Sequence, residues 1–571
     1  MNKIVLVFVL ITQLCFSQND WKTTFEKGNG NQSVTYEECI AYYQKLDAYF
    51  ETIHMQEMGL TDSGKPLHII IYSSDKDFSF TSDKTKILIN NGIHPGEPDG
   101  IDASMSLVRD LALNKIKTSR NTQIIVIPVY NIDGMLNRNS SSRANQNGPE
   151  SYGFRGNARN FDLNRDFIKS DTRNAKSFQQ IFHLVQPDIF LDNHVSNGAD
   201  YQYTFTCIAT QHERLGNSLG NYFINEMYPS LVKDMLKKKI DVVPYVNIHG
   251  AKPDLGYEQF TDTPRYATGY TTLFHTLGFV PETHMLKPYK DRVKVTYEFM
   301  VSTINYANQN ASQIKKYRQE ALKEYKAGDD YPLSWTIDST KVSHLNFKGY
   351  EGKYIASSVS GKERLFYDKN RPFTRPIPFY ANYKPISFVK IPKAYIVPQS
   401  QWPILDLLKL NGLTYNILDS DSIIEVESYK IIEYQTSKSA YEGHYGHYNT
   451  KISKSKEKIR FMKGDYLFPT NQFGVKYLLE TLEPEAVDSY FNWNFFDAIL
   501  QQKEYFSAYV FEDIASELLA KNPNLRDKFE TKKKEEKAFS ENGTAQLDWI
   551  YKHSIYYEKA HLQYPVYRTL E

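Results

Sequence analysis

The sequence of 571 residues contains only three cysteines. One of them, Cys15, lies in an N-terminal segment that we expect to be removed, which leaves Cys39 and Cys207. Two thiols allow at most one disulfide, and they cannot supply the cysteine clusters that hold structural zinc. The sequence therefore excludes a metal site built from cysteine.

The chain also lacks an excess of charge of either sign. Its 68 basic residues face 67 acidic residues, and the formal net charge is +1. Proteins that bind nucleic acid or an anionic surface usually carry a basic excess. We therefore expect neither nucleic acid nor an anionic surface as a partner.

Long apolar runs are absent after the first residues. Ile4 to Leu14 is almost wholly apolar, but it is too short for a stable membrane span. A short, weakly positive start precedes it, and Cys15-Phe16-Ser17 follows with small residues at the positions that a signal peptidase reads. We predict a signal peptide at 1–17, cleavage before Gln18, export to the periplasm or the extracellular space, and no membrane span.

The chain is too long for a single core, which indicates at least two domains. Its hydrophobic content of 41% and charged content of 24% are ordinary for a globular protein. Composition changes after Asp329-Asp330-Tyr331-Pro332, and there is no internal repeat. We predict a catalytic domain at 18–330 and a smaller α+β domain at 331–571, whose role the sequence does not indicate.

Segments of helical and of strand-like periodicity alternate in the first domain. The pattern predicts helices at Tyr36–Met55, Asp99–Leu113, Asp171–Val185 and Leu286–Lys326, and strands at Leu67–Tyr72, Ile124–Val129 and Asp188–Leu191. Such alternation predicts an α/β fold, with a mixed sheet that is parallel at its centre and flanked by helices. Ligands of such folds collect beyond the carboxyl ends of the strands.

The stretch from Lys86 to Gly100 combines a predicted buried strand with a loop that carries two metal-binding side chains. Ile87-Leu88-Ile89 is the apolar run, and four proline and glycine residues after it prevent strand or helix from continuing. His94 and Glu97 therefore lie on a loop at the end of a strand. Imidazole nitrogen and carboxylate oxygen are both good zinc ligands.

Two further residues follow predicted strands. His194 comes soon after the strand that ends at Leu191, so it should emerge at the same sheet edge as His94 and complete the metal site. Glu282 follows the short apolar segment Gly278-Phe279-Val280-Pro281. A glutamate that is not a metal ligand is what a metal-assisted hydrolase requires as its general base.

The order of the motifs along the chain resembles that of the zinc carboxypeptidases of the M14, or carboxypeptidase A, type. The resemblance covers roughly Trp21 to Asn310. It is carried by five elements: His94–Glu97 (His-x-x-Glu), Asn131–Gly134 (Asn-x-Asp-Gly), Asp162–Arg165 (Asp-x-Asn-Arg), His194 and Glu282.

The resemblance implies that His94, Glu97 and His194 bind one Zn2+ per chain. It also implies that Glu282 activates the attacking water. Asp162 matches a carboxylate that fixes the tautomer of the first zinc histidine.

Asn164 and Arg165 match the pair that grips the terminal carboxylate of the substrate. A guanidinium group recognises a carboxylate in bidentate fashion, which suits this role.

Two roles of the family have several candidates. The arginine that polarises the scissile carbonyl should lie between Asn131 and Asn164; we favour Arg143, with Arg155 second. Two other arginines, Arg138 and Arg159, lie in the same interval.

The tyrosine that closes over the substrate should precede Glu282. We prefer Tyr266 to Tyr257 and Tyr270. No position between His194 and Glu282 identifies the pocket that selects the side chain of the cleaved residue.

The expected function is that of an exported zinc metallocarboxypeptidase acting on peptides with a free C-terminus. A zinc amidase or endopeptidase acting on cell-wall peptides is the main alternative, and a non-catalytic protein that binds peptide or glycan is a weaker one. His444 and His447 in the second domain have a spacing that metal sites also use. Because no cysteine or suitably spaced carboxylate accompanies them, we interpret them as part of a glycine- and tyrosine-rich surface loop.

Overall fold

The computed structural model describes residues 21–248 and 252–570, so the predicted signal peptide lies outside the described residues. Within these ranges, no helix combines the length and apolar character of a membrane span. The chain divides into two compact units. Of the described residues, the first contains those up to Ile391 together with Asp406–Thr414 and Thr470–Glu480. The second contains Pro392–Leu405, Tyr415–Pro469 and the chain from Thr481 onward.

The first unit is built on a mixed sheet. The strands of its first part are β1 Ile53–Leu60, β2 Pro66–Ser73, β3 Thr85–Asn90, β4 Thr122–Ile127, β5 Ile189–Asp192, β6 His194–Ser196, β7 Phe205–Ala209, β8 Val242–Pro244, β9 Asn247–Ile248, β10 Tyr257–Glu258 and β11 Leu277–His284. The main sheet runs in the order β1-β2-β4-β3-β5-β11-β7-β8, and β6 pairs with β11. The pairs β4-β3, β3-β5 and β5-β11 are parallel. The predicted α/β fold with a centrally parallel sheet is confirmed.

Helices connect and flank these strands. They are Thr24–Lys27, Tyr36–Tyr49, Asp99–Ala112, Ile132–Leu136, Arg173–Val185, Asn217–Tyr222, Tyr228–Lys237, Ala267–Thr272 and Tyr289–Ala321. The first of the predicted helices is shorter than expected: it begins at a capping box formed by Thr35 and Glu38 but ends at Tyr49, because β1 starts at Ile53.

The centre of the sheet is buried on both faces. Every residue of β3 and of β4 is buried, as expected for parallel strands that helices cover on both sides. Asn90 at the end of β3 is in register with Asp192 at the end of β5, and Glu282 in β11 is in register with His194 in β6. The loops that follow β3 and β5 therefore meet the end of β11 at one edge of the sheet.

Two long antiparallel pairs complete the first unit. The strands are β12 Asp330–Ile337, β13 Ser343–Ala356, β14 Glu363–Tyr380 and β15 Tyr383–Lys390. Tyr257 of β10 pairs with Phe379 of β14, and both side chains pack in one apolar cluster with Phe347. The first unit consequently continues to Ile391, past the boundary that we predicted at residue 330.

The second unit has an antiparallel sheet and a separate group of helices. Its strands are β16 Ala394–Val397, β17 Asn416–Ile417, β18 Ser422–Thr436, β19 His447–Phe461, β20 Tyr466–Pro469 and β21 Tyr567–Thr569, in the order β17-β20-β16-β21-β18-β19. Its helices are Ala508–Lys521, Pro523–Glu535, Lys537–Ser540 and Gly543–Lys552, and Phe511, Phe529 and Phe539 lie in their common core. Boundaries between the two units fall within two further helices, Trp402–Leu410 and Val475–Leu482. The α+β character predicted for this part is confirmed.

Candidate active site

The loop after β3 presents His94 and Glu97 on the same side. The backbone N–H of Glu97 donates to the His94 carbonyl at 2.8 Å, which closes a tight turn, and both side chains are only 3% exposed. Gly96 lies between them. A Cβ at this position would lie 2.7 Å from the Arg143 side chain and 3.1 Å from the Gly153 carbonyl, so glycine lets Arg143 pack closely against the turn.

His194, the first residue of β6, lies against this loop. Its Nδ1 lies 3.2 Å from Oε2 of Glu97, and Nδ1 of His94 lies 3.4 Å from Oε1 of the same carboxylate. One ligand atom from each of the three residues falls within 4.8 Å of the others. The three residues expected to share a metal are thus brought together. Among the residues that the structure describes, they form the only such group of His, Cys, Asp or Glu side chains.

A carboxylate lies behind each histidine. Nε2 of His94 is 2.8 Å from Oδ1 of Asp162, and Nε2 of His194 is 2.8 Å from Oδ2 of Asp192. Because an ionised carboxylate only accepts hydrogen bonds, each Nε2 carries the proton and each Nδ1 keeps its lone pair for the centre of the site. Asp162 has the position expected of it. We did not predict a role for Asp192 from the sequence, although its place at the end of β5, two residues before His194, could have indicated one.

These residues fit a zinc ion. Nδ1 of His94 is buried and has no hydrogen-bond partner. Burial opposes ionisation of Glu97, but the neighbouring charge of Arg143 holds the pKa of Glu97 well below its usual range. Two imidazole nitrogens and one carboxylate oxygen are a common set of protein ligands for catalytic zinc, which keeps a further position open.

Glu282 lies beside the three residues but belongs to a different strand. Its Oε2 is buried and has no hydrogen-bond partner. Burial, followed by the charges of Glu97 and Asp192 against that of His194, raises the pKa of Glu282 to about 8. A carboxyl group that binds a proton near neutral pH is suited to accept and return one during a reaction.

Two of the four candidate arginines reach the site. Arg143 donates from Nη1 to Oε1 of Glu97 at 2.9 Å. Arg155 pairs with Oδ2 of Asp162 at 2.9 Å, and its Nη1 lies 3.6 Å from Oε1 of Glu97. Arg155 is the more accessible of the two, with 45% of its side chain exposed against 13% for Arg143.

The other two arginines bond elsewhere. Arg138 donates to the carbonyls of Ser33 and Val34, and Arg159 donates to the carbonyl of Asp171. Neither side chain lines the pocket beside His94, Glu97 and His194. Arg143 and Arg155 therefore remain as the two candidates for the arginine that polarises the scissile carbonyl.

Asn164 and Arg165 lie on a short helical turn, Leu163–Arg165, that Asp162 caps. Asn164 Oδ1 accepts from the Ala267 N–H at 3.3 Å, and the guanidinium of Arg165 stacks 4.5 Å above the ring of Tyr266. All three of Asn164, Arg165 and Tyr266 line the pocket. The geometry thus joins Asn164 and Arg165, which we predicted to bind the substrate carboxylate, to the segment that carries Tyr266.

The other two tyrosine candidates lie in the core. Tyr257 and Tyr270 are fully buried, and neither lines the pocket. Of the three tyrosines considered from sequence, only Tyr266 has access to a bound substrate.

The site opens into a cavity of about 430 Å³. Tyr245, Phe260 and Asp262 line it and were missed from sequence. Tyr245 directly follows β8, a position at a strand end that was a weak signal. Phe260 and Asp262 follow β10 in an irregular segment, where no periodicity marked them.

Comparisons with known proteins agree with this geometry. The model of the zinc carboxypeptidase family, peptidase M14, matches residues 39–348, which confirms the resemblance inferred from the motifs. The chain is 23% identical over 436 residues to carboxypeptidase 2 of Trichophyton rubrum, covering 72% of this chain and 74% of that protein. It is 24% identical over 437 residues to probable carboxypeptidase 2 of Arthroderma benhamiae, covering 72% and 75%.

Similar solved structures are also carboxypeptidases. A metallo-carboxypeptidase from Pseudomonas aeruginosa has a TM-score of 0.37 and 14% identity, covering 49% of this chain and 70% of that one. Carboxypeptidase A from Helicoverpa armigera has a TM-score of 0.39 and 14% identity, covering 54% and 81%.

Proposed function

Because the chain belongs to the zinc carboxypeptidase family of metallopeptidases, we propose that it is an exported enzyme that hydrolyses the C-terminal peptide bond of its substrates. One observation carries this proposal: His94, Glu97 and His194 converge on one point, and the unpartnered carboxyl of Glu282 lies beside them. A protein that only bound peptide would have no need of a general base at that position.

The metal would be held by Nδ1 of His94, Nδ1 of His194 and the carboxylate of Glu97, with one zinc per chain. When bound there, zinc would polarise the scissile carbonyl and lower the pKa of a water molecule. Asp162 and Asp192 hold the two imidazole rings in orientation and keep their protons on Nε2.

Glu282 is the proton carrier of the proposed reaction. Its carboxylate takes a proton from the attacking water and returns it to the leaving amine. Its buried Oε2, which has no hydrogen-bond partner among the described residues, supports this role because it is available to bind the proton.

Arg143 is the arginine that we propose to stabilise the oxyanion, with Arg155 as the alternative. Arg143 lies closer to Glu97, whereas Arg155 is more accessible to a substrate.

Substrate orientation would come from other residues that line the pocket. Asn164 and Arg165 would bind the terminal carboxylate, and Tyr266, against which Arg165 stacks, would cover it. A site that holds the free carboxylate places the last peptide bond at the metal, which makes the enzyme an exopeptidase. The apolar segment from Ile4 to Leu14 supports export.

Zinc content and hydrolysis of a panel of blocked peptides test the proposal. We expect one zinc per chain and release of C-terminal residues by the wild type. Glu282→Gln should retain zinc and lose at least about 100-fold in kcat, because it keeps the shape of the side chain but cannot accept the proton. Glu37→Gln, on an exposed helix position, is the matched control.

Other outcomes separate the alternatives. Zinc together with cleavage only of internal bonds or of cell-wall peptides would replace the exopeptidase by an endopeptidase or amidase. A chain that binds peptides, but binds no zinc and hydrolyses none of the peptides, would contradict the proposal.

A further inference from the structure

A hydrogen-bonded turn carries Arg143 to the cavity. The N–H of Gln146 donates to the carbonyl of Arg143 at 3.0 Å, and the N–H of Arg143 donates to the hydroxyl of Tyr152 at 3.2 Å. Arg143, Ala144 and Asn145 line the cavity, whereas the half-buried side chain of Gln146 does not. A substrate in the cavity would therefore contact Arg143 and not Gln146.

The side chain of Gln146 connects Arg143 to the loop of the proposed zinc ligands. Its Oε1 accepts from Nε of Arg143 at 2.7 Å, and its Nε2 donates to the carbonyl of Gly96 at 2.9 Å. Gly96 lies between His94 and Glu97 in the chain. The amide thus uses both of its ends, the acceptor on the guanidinium group and the donor on the loop.

The guanidinium group of Arg143 is consequently held at two of its nitrogens. Nε donates to Gln146, and Nη1 donates to Oε1 of Glu97 at 2.9 Å. Because the group is planar, two such contacts also set the direction of its remaining N–H groups. Among the described residues, no acceptor binds Nη2 of Arg143, which leaves this nitrogen for an oxygen of the substrate.

Arg155, the other arginine of the site, is held by a charged partner. Its Nε and Nη2 both bond to Oδ2 of Asp162, at 3.0 and 2.9 Å. A carboxylate compensates part of the charge of the guanidinium group that it holds, whereas the amide of Gln146 is neutral. Gln146 therefore orients Arg143 without adding a negative charge beside it.

The loop that carries Gln146 is anchored directly after this residue. The N–H of Asn147 donates at 2.8 Å to the carbonyl of Met285, the residue that follows β11. Arg292, which is fully buried, donates to the carbonyls of Asn147 and Gly148 at 3.2 and 2.9 Å. The backbone beside Gln146 is thus fixed, and its side chain has a firm base from which to hold Arg143.

We propose that Gln146 is a positioning residue that sets the orientation of Arg143 for the reaction. It acts through Arg143 and has no contact with the substrate. This inference rests on the proposed carboxypeptidase function, in which Arg143 stabilises the oxyanion. A donor that is oriented before the oxyanion forms stabilises the transition state without having to reorganise.

A purely structural role for Gln146 makes a different prediction. Its bond to the carbonyl of Gly96 would then only support the loop of His94 and Glu97. Loss of Gln146 would lower activity to the same degree whatever residue stands at position 143. Positioning through Arg143 instead makes the effect of Gln146 depend on the arginine.

A double-mutant cycle with Arg143→Lys separates the two roles, with hydrolysis of a blocked dipeptide by the zinc-loaded full chain as the readout. Gln146→Met removes both hydrogen bonds but keeps the length of the side chain. We expect it to lower kcat by about 10- to 100-fold, as for loss of a hydrogen bond to a charged group. KM should change by less than about 3-fold, because the residues that bind the substrate are unaltered.

The second arm of the cycle makes the same change beside a lysine, which keeps the charge but has no Nε–H for Gln146 to accept. In the Arg143→Lys background, Gln146→Met should lower kcat by less than about 2-fold. Gln44→Met is the matched control, because Gln44 is exposed on the helix Tyr36–Tyr49 and does not line the cavity. Equal effects of Gln146→Met in the two backgrounds, or a wild-type kcat in Gln146→Met, would overturn the inference.

NMR of the full chain tests the contact without turnover. In protein labelled with nitrogen-15 arginine, the Nε signal that disappears in Arg143→Lys belongs to Arg143. We expect its hydrogen to exchange with water at least about 10-fold faster in Gln146→Met than in the wild type, because its acceptor is lost. Gln44→Met should leave the exchange rate unchanged.

The exchange rate also separates this inference from the proposed function. Equal rates in Gln146→Met and the wild type would show that Gln146 does not hold Arg143, and would overturn the inference. Absence of hydrolysis by the wild type would contradict the carboxypeptidase reaction instead, and the exchange rate would still decide whether Gln146 orients Arg143.

Discussion

The two histidines of the proposed metal site and His447 of the second unit have different surroundings in the structure. At the metal site, His94 and His194 use Nε2 on carboxylates, and both Nδ1 atoms face the carboxylate of Glu97. In the second unit, His447 uses both nitrogens: Thr436 lies 2.9 Å from Nδ1, and Asp497 lies 2.9 Å from Nε2. A histidine becomes a ligand through the nitrogen that its neighbours leave available, so spacing in the sequence is a weak guide.

Removing one histidine from each region should give the largest contrast. His94→Gln should weaken zinc binding by more than about 100-fold and abolish hydrolysis, because it deletes a ligand rather than a supporting contact. His447→Gln should leave one zinc per chain and the hydrolysis rate unchanged. Metal analysis after dialysis against a weak chelator, with rates on the same samples, checks both. Loss of zinc in His447→Gln would show that His447 also binds metal.

The surroundings of a side chain also determine the protonation of a buried acid. Asp102 is buried, accepts from the hydroxyl of Tyr289, and has a pKa that burial raises to about 7. A raised pKa means that the folded state holds the proton more tightly than the unfolded chain. Stability is therefore lost as the pH rises from about 4 through 7.

Asp102→Asn should remove this dependence. We expect it to raise the free energy of unfolding by about 2–4 kcal/mol at pH 8, and by little at pH 4, because three pKa units correspond to about 4 kcal/mol. Denaturant unfolding across this pH range checks the prediction. A variant that is less stable than the wild type at pH 8 would contradict it.

Substitution of the carboxylate that bonds to a zinc-binding histidine should have an intermediate effect on zinc affinity. Asp192→Asn should lower zinc affinity by about 10- to 100-fold, because an amide no longer fixes the His194 ring and its tautomer as firmly. Asp497→Asn makes the same change behind His447 and should not alter zinc affinity. Competition with a calibrated chelator measures both. Equal affinities for Asp192→Asn and Asp497→Asn would show that Asp192 does not support a ligand.

The smallest expected effect is on the stability of the second unit. His447 joins β19 to the segment of Asp497, and His447→Gln cannot keep both of its hydrogen bonds. We expect a loss of about 1–3 kcal/mol in the free energy of unfolding. Hydrogen exchange of β18 and β19 should detect the loss, whereas exchange of β3 should not change.

The sequence predicted those parts of the fold in which local pattern and topology agree. The apolar run of β3, followed by Pro95 and Gly96, located the first loop of the site. His194 followed from the rule that parallel strands end at the same sheet edge, which the register of β3 with β5 bears out.

What the sequence did not predict depends on contacts between distant residues. The first unit continues past residue 330 because β14 pairs with β10, more than a hundred residues earlier in the chain. Asp262 gained its place in the pocket wall from the path of an irregular segment, which has no periodicity to read. The choice between Arg143 and Arg155 likewise depended on how the loop between Asn137 and Asn160 folds back onto Glu97.

Anomalous diffraction at the zinc absorption edge tests the central claim most directly. We predict a single strong peak within about 2.0–2.2 Å of Nδ1 of His94, Nδ1 of His194 and an oxygen of Glu97, with Glu282 nearby but not coordinated. A zinc peak next to Nε2 of either histidine, a peak at His447, or no peak in zinc-loaded crystals would contradict the proposed metal site.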